Sequence, residues 1–491
     1  MPAFDVSNED IKRLSAEQLV VLVHKLIYGE LLANAITGFD GRVCLNIYAR
    51  DGGLDGLAAW EGQANATAFL PNRKVGVQVK KAALSAVQAA SEVIAANGGL
   101  KPEVHRLLEG GGHYLLVFGS DSPEDRAAKV TAMTTAVADA SGLNVAGRVH
   151  IRDASEIAAW ANTQPAAQAF VHAVLGARRF PAQDWTFKRE FSEFANPLVA
   201  VPSRVAQAQA LVDNLGPRVV TRVIGLSGLG KTRFIIEALA PPANPFDDPR
   251  LARINQQVCF LDGTDPDTVK ECLDDWLARG ASGIVVLDDC DSKLHAEVRT
   301  RALHLRSRLC VVTVGNEQAG EEFLAQGDQV IALAEVESER ILEIALGSTE
   351  GISPEDARYL ANELAQGFPQ MAVLIARARA KGMSIADAVG KEVVRRLLGA
   401  EVQPTSTAYR VLRTCALFDS LGFEQELSHE REFVLEHICP DIPREQFLES
   451  IAAMRTLGLV TQYGRALQVR PRPLAIRLAA EWWASRPAEE W

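Results

Sequence analysis

No apolar run in this sequence approaches the ~20 residues that would span a bilayer. The start, Met1-Pro2-Ala3-Phe4-Asp5, has no basic-then-apolar leader. Both absences lead us to expect a cytoplasmic chain with no membrane partner. Positive charge is in deficit: 51 Lys+Arg stand against 62 Asp+Glu, a net charge of -11. A surface of that sign does not coat nucleic acid through bulk electrostatics, although it leaves room for a local basic site. The cysteines are an odd seven (44, 259, 272, 290, 310, 415, 439) with no CxxC pair. That excludes a zinc cluster or a disulfide framework and predicts buried, reduced thiols. His24, His105, His113 and His172 share no metal-ligand spacing and read as structural. There is no nucleophile elbow, no internal repeat and no low-complexity tract.

What is present is the mix of a globular protein, 48% hydrophobic and 23% charged over 491 residues. At roughly 150 residues per domain, that length predicts about three domains. Residues 1–178 read as a first α/β unit. A helical face runs through Leu19, Leu22, Val23, Leu26, Ile27 and Leu31, followed by extended runs at Val43–Ala49, Val75–Lys80, Tyr114–Phe118 and Val149–Ile151. Ser122-Pro123-Glu124 opens a helix, and Asp153 with Glu156 forms a capping-box pattern. Residues 179–200, rich in aromatics and prolines, read as a linker. A second alternating stretch, 201–335, has candidate strands at Val219–Ile224, Gln257–Leu261, Gly283–Leu287 and Leu309–Val314. Residues 336–398 and 399–491 are mostly helical by pattern, with short strands expected near Leu459–Thr461 and Ala466–Val469.

The segment from Gly225 through Gly228 and Gly230 to Lys231-Thr232 satisfies GxxxxGK[ST], between a strand pattern and a helix pattern. In such a loop the glycines let backbone N–H groups wrap phosphates at a helix N-terminus. Lys231 would neutralise the β/γ-phosphates, the Thr232 hydroxyl would ligate Mg²⁺, and Arg233 opens the helix beside them. About 55 residues later, Ile284-Val285-Val286-Leu287 ends in Asp288-Asp289. Asp288 would complete the Mg²⁺ shell and Asp289 would orient the attacking water. ATP and Mg²⁺ are the expected cofactors.

Hydrophobic-Asp-Asp, in place of Asp-Glu, resembles the STAND class of P-loop NTPases. Gly367-Phe368-Pro369 resembles that family's GxP motif, whose proline approaches the base, so Pro369 joins the nucleotide-binding set. Arg204 resembles the arginine that begins many such modules, with an ordinary helix-surface residue as its alternative. The tail 400–490 resembles the winged-helix domain that follows a helical lid. One feature departs from the family: Val314-Gly315-Asn316 carries no arginine where a γ-phosphate sensor is often found.

In the first unit, Asp51-Gly52-Gly53-Leu54-Asp55-Gly56 forms a turn, and Gln78-Val79-Lys80 lies on the next strand, where residues i and i+2 share a face. An acid facing a Gln/Lys pair can hold Mg²⁺ and position a water beside a phosphodiester. The pattern resembles the PD-(D/E)xK nuclease core in its D…QxK form, as in Mrr-like restriction endonucleases. That likeness implies a restriction-endonuclease-like α/β domain with Asp55 as metal ligand and Gln78, Lys80 and the helical Glu30 as catalytic partners. Arg73, Lys74, Lys80 and Lys81 make a local basic patch suited to double-stranded DNA. The plainer alternatives are a turn, an exposed edge strand and a solvated helix residue.

A nuclease joined to a STAND switch resembles the NLR-like Avs antiviral proteins of bacteria. This implies an NTP-controlled, Mg²⁺-dependent DNA endonuclease in antiphage defence, a foreign (phage) protein as trigger, and a homo-oligomer, a tetramer, on activation. Because such relatives carry a sensor after the winged helix, the chain reads as the front part of a longer protein. A modification-dependent restriction enzyme and a STAND transcription regulator with an inert N-terminal unit are the competing expectations.

Overall fold

The computed structural model describes residues 4–36, 39–43, 52–62, 64–121, 126–176, 180–190, 201–226, 228–240, 249–315, 328–349, 351–365, 367–380, 402–403, 405–424, 427–457, 459–463 and 466–485. Among them, no helix is long and apolar enough to cross a membrane.

The first unit begins with a helix over Ala16–Ala33, whose Ser15 N-cap and Gln18 form a reciprocal capping box. Its expected face, Leu19, Leu22, Val23, Leu26, Ile27 and Leu31, is buried against one side of a sheet. The strands are β1 (Phe39–Val43), β2 (Gly56–Trp60), β3 (Lys74–Lys80), β4 (His113–Phe118) and β5 (Val149–Arg152), in that spatial order. β1, β2 and β3 form an antiparallel meander, while β3, β4 and β5 run parallel. The described strand at β1 lies ahead of the expected Val43–Ala49; residues 44–49, like Ser122-Pro123-Glu124, fall outside the described residues. β2 is unheralded in the sequence because its Gly-Leu-Ala-Ala-Trp composition has little β-branching. The exposed edge-strand alternative for Gln78-Val79-Lys80 is corrected in part: Lys74–Val77 of β3 pair with β2, Gln78–Lys80 pair with β4 alone, and Gln78 is 5% exposed. The Asp153–Glu156 capping box forms as the spacing requires, and Arg126 bridges both carboxylates.

The second sheet contains β6 (Ala182–Asp184), β7 (Val220–Ile224), β8 (Val258–Asp262), β9 (Ser282–Asp288), β10 (Arg308–Val314) and β11 (Gln329–Ala332), ordered β11-β7-β10-β9-β8-β6. All pairs are parallel except β6 with β8. Helices cover both faces, which is why these strands read as continuous apolar runs rather than alternating ones. Part of the expected linker, 179–200, is not a linker. Residues 182–184 extend the sheet edge, and Trp185–Glu190 forms a helix whose buried Trp185 Nε1 donates to Ile236 O at 2.9 Å. Of the aromatics in this stretch, Trp185 is buried in the core of the second sheet and Phe180 packs against a cluster of the same unit.

That packing joins the first two units into a continuous interior. The helix Pro165–Val174 places Ala167, Phe170 and Val171 in the first core, and Ala166 and Ala169 in the second. Lys25 and Asp184, both almost fully buried, form an ion pair at 3.0 Å across the junction. Gln164 Nε2 donates to Leu26 O at 2.9 Å, and Gln257 Nε2 donates to Lys25 O at 3.0 Å. Gly29 is what permits this approach: a Cβ there would stand 2.1 Å from Gln164 Oε1 and 2.4 Å from Gln257 Oε1. We expect Gly29→Val to cost about 1–3 kcal/mol by overpacking, read as a lowered urea midpoint; an unchanged midpoint would show that the junction yields freely.

Beyond residue 335, helices Ser338–Ser348, Pro354–Tyr359 and Pro369–Ala380 are followed by Thr407–Cys415, Ser428–Phe433, Arg444–Thr456 and Arg472–Ala484. A small antiparallel sheet of β12 (Leu421–Gly422), β14 (Ala466–Val469) and β13 (Val460–Tyr463), in that order, sits among the latter. One hydrophobic cluster runs across the expected border at 398/399, from Phe368 and Met371 to Leu412, Phe447, Met454 and Leu478. Trp482 is buried, while Trp483, edge-on to it, is 53% exposed. The six described cysteines are free and buried.

Candidate functional site

The glycine-rich loop lies between β7 and the helix Lys231–Ala238. Gly225, Gly228 and Gly230 have φ of +144°, +89° and +82°, conformations that L side chains rarely adopt. At Gly225 space forbids a side chain as well, since a Cβ would meet Leu333 O at 2.7 Å. The helix starts on left-handed Gly230 with no side-chain cap, which leaves its first N–H groups to serve an anion. Lys231 is 7% exposed and donates from Nζ to Gly225 O at 2.8 Å and Leu226 O at 2.9 Å, arching over the loop.

Parallel strand order brings the end of β9 to this loop. Thr232 Oγ1 donates to Asp288 Oδ1 at 2.7 Å, joining the two expected metal-shell residues, a hydroxyl and a carboxylate of the hard-oxygen type Mg²⁺ prefers. The other carboxylate oxygen, Oδ2, receives Lys188 Nζ at 3.1 Å. Lys188, on the helix Trp185–Glu190, escaped the sequence reading because it stood within the presumed linker. Asp289 follows with φ +52°, held by Gly263 N donating to Asp288 O at 2.6 Å and Cys290 N donating to Val314 O at 2.8 Å. Its residue opens to solvent on one side, yet the enclosing loops raise its carboxyl above the usual carboxylate range; Asp288 adds to the rise and Lys231 opposes it.

The remaining expected residues are close by. Gln370 N, next to Pro369 at the start of its helix, donates to Gly228 O at 3.2 Å, and Leu229 is buried in the same cluster as Phe368. Arg204 Nη2 donates to Ala334 O at 3.3 Å and lies near Gly230; burial lowers its pKa. Arg233 pairs with Glu237 at 2.6 Å along its own helix. The sensor position at Asn316 is outside the described residues. Farther out, Arg470 beside β14 pairs with Glu335 at 3.4 Å, tying the C-terminal sheet to the start of the helices beyond residue 335.

In the first unit, the structure brings Asp55 and Gln78 together. Gln78 Nε2 donates to Asp55 Oδ2 at 2.7 Å, the amide orientation an acceptor-only carboxylate demands, and Val79 N donates to the same oxygen at 2.5 Å. Gln78 Oε1 is left buried without a hydrogen-bond partner, an oxygen suited to a hard cation. Lys80, two residues on, pairs with Glu92 at 3.0 Å, and Lys101 reaches the same carboxylate at 3.4 Å. Glu92, at the C-cap of helix Ala86–Ser91, is a charged partner that sequence spacing did not suggest. Glu30 is 5% exposed, not a solvated residue, and accepts from Asn34 Nδ2 of its own helix at 3.4 Å. Among the described residues no group of three His, Cys, Asp or Glu could hold a metal ion. His113 and His150 stack with ring nitrogens 2.9 Å apart, and burial pushes His150 down to about 4 and lowers His113 as well.

A parallel α/β sheet, a phosphate-binding loop after its strand β7 and a hydroxyl–carboxylate pair at the loop's end define a P-loop nucleotide-binding unit. No family model and no curated protein matches the chain. Among solved structures, it is similar to the Walker-type ATPase paby2304 of Pyrococcus abyssi, at 12% identity and a TM-score of 0.41, covering 57% of this chain and 96% of that one. It is also similar to the STAND protein PH0952 of Pyrococcus horikoshii, which has a tetratricopeptide repeat sensor, at 15% identity and a TM-score of 0.25, covering 61% of this chain and 45% of that one. NtrX from Brucella abortus, in complex with ATP, matches at 13% identity and a TM-score of 0.29, over 72% of this chain and 85% of that one. With TM-scores of this size, the nucleotide site stands on its own residues.

Proposed function

We propose that the chain is an NTP-dependent switch of the STAND type that controls an N-terminal, Mg²⁺-dependent DNA endonuclease of the PD-(D/E)xK class in antiphage defence. The observation that carries the switch is the 2.7 Å bond from Thr232 to Asp288, which places loop and acidic strand in one metal-binding corner. For the nuclease, support comes from Asp55 joined to Gln78, with the unpartnered Gln78 Oε1 on the strand that also bears Lys80. Mg²⁺ would supply charge neutralisation and water activation at both places. Lys231 and the loop N–H groups bind phosphate, Asp289 orients water, and Lys80 stabilises developing negative charge on the scissile phosphate. Residues 336–398 serve as lid and 399–491 as a winged helix, with Arg470–Glu335 as a contact between them that can hold a resting form. Oligomerisation on binding a foreign protein would bring nuclease units together on double-stranded DNA.

One observation favours a second reading, a STAND regulator with an inert N-terminal unit. Both N–H donors on Asp55 Oδ2 are what a purely structural turn would also provide. The experiment that separates the two incubates the protein with plasmid DNA, Mg²⁺ and ATP, adding candidate phage proteins one at a time. Cleavage is expected in wild type and lost in both Lys231→Ala and Asp55→Ala, with Asp55→Ala keeping nucleotide binding. Full cellular protection by Asp55→Ala would favour the inert-domain reading.

A further inference from the structure

We propose that Lys188 competes with Mg²⁺ for the Asp288 carboxylate, and that its displacement by metal-bound nucleotide is transmitted through β6 to the N-terminal unit. This deepens the nucleotide-switch reading and rests on it.

The Asp288 carboxylate is shared between two protein donors. Thr232 takes Oδ1 at 2.7 Å and Lys188 takes Oδ2 at 3.1 Å, although Lys188 is 100 residues away in the chain. The Lys188 side chain is 26% exposed and that of Asp288 is 15% exposed, so the pair is partly screened but not free in water. Its ammonium also lies 5.6 Å from the centre of the Phe260 ring. A divalent ion ligated by Thr232 and Asp288 would sit a few ångströms from this ammonium. Like charges at that separation repel, and both seek the same lone pairs. Ammonium and metal therefore exclude one another on this carboxylate. The flexible four-carbon stem lets the ammonium move to a phosphate oxygen of the arriving nucleotide, exchanging one anionic partner for another.

What makes the exchange consequential is where Lys188 is attached. Asp184, the last residue of β6, is about one helical turn earlier. It is fully buried and paired at 3.0 Å with Lys25, on the Ala16–Ala33 helix that also bears Glu30. Between them, Trp185 is bonded to Ile236 O, on the helix that follows the phosphate loop. A single segment of five residues, Asp184 to Lys188, thus touches the Asp288 carboxylate at one end and the core helix of the N-terminal unit at the other. Coupling of this kind is reciprocal: an event that shifts the N-terminal unit must alter metal affinity by the same factor.

The test uses the full chain and a fluorescent ATP analogue, with Mg²⁺ titrated at fixed nucleotide. Lys188→Met is expected to lower the Mg²⁺ midpoint about three- to fivefold, the upper range that loss of one partly exposed ion pair supports. Lys188→Arg keeps the charge and is expected to stay near wild type. Hydrogen exchange of peptides spanning Lys25 gives a readout independent of activity. Adding Mg²⁺ and a slowly hydrolysed ATP analogue should alter their protection in wild type and not in Lys188→Met. A midpoint within twofold of wild type, or an identical exchange response in both proteins, overturns the proposal while leaving nucleotide binding intact. If wild type binds no nucleotide at any Mg²⁺ concentration, the switch reading falls and takes this inference with it.

Discussion

Replacing Asp289 with asparagine should lower the rate of ATP hydrolysis by about 10²–10⁴-fold, the usual worth of a positioned acid–base group, with nucleotide affinity changed by no more than about twofold. Asp289 follows the β9 strand in a left-handed conformation, φ +52°, that most side chains avoid. The turn is held from two sides, by Gly263 N on Asp288 O and Cys290 N on Val314 O. Gly263 cannot carry a side chain there, because its Cβ would lie 2.7 Å from both Asp288 O and Asp289 O. A backbone outlier fixed this firmly beside the Asp288 carboxylate is the kind of strain that persists at functional sites. Asparagine tolerates the same conformation and has the same shape, so the substitution removes the carboxylate and leaves the turn. Phosphate release and analogue binding, measured on the same preparations, check both halves. Hydrolysis at the wild-type rate would remove Asp289 from the water-positioning role.

The second large effect is on stability. Asp184→Ala is expected to cost about 3–5 kcal/mol, because it leaves the Lys25 ammonium buried without its counter-charge. Lys25 and Asp184 are 3% and 0% exposed, so water cannot readily take the carboxylate's place. A drop on the order of 10 °C in the transition that includes the first unit should accompany it. The double variant Lys25→Met/Asp184→Leu should recover much of the loss, since apolar groups of similar volume can replace a buried pair nearly without penalty. Equal destabilisation of the single and double variants would mean that packing, not the stranded charge, sets the cost. Under the coupling proposed for Lys188, the double variant would also fold while losing the exchange response at Lys25, a separation that stability alone does not produce.

Much of the local structure was legible in the chain. The Asp153–Glu156 capping box, the 3–4 spacing from Leu19 to Leu31 and the loop from Gly225 to Thr232 each depend on residues a few positions apart. Apolar runs ending in charge located β9, and alternation located β3. What was missed has a common cause. β6 is three residues long and is a strand only because β8 offers an edge beside it. β2 is stabilised by neighbours on both sides rather than by its own composition. Glu92 meets Lys80, and Lys188 meets Asp288, through folding of distant segments.

The sequence by itself determined the phosphate loop, the paired acids and the residue types around Asp55, because backbone conformation, caps and charge act over a turn or a strand. Only the tertiary structure decided that β3 is interior, that the presumed linker is built into the second sheet, and that one short segment touches both Asp288 and Lys25. Those choices rest on which surfaces exclude water together, and no spacing rule encodes contacts between residues 100 or more positions apart.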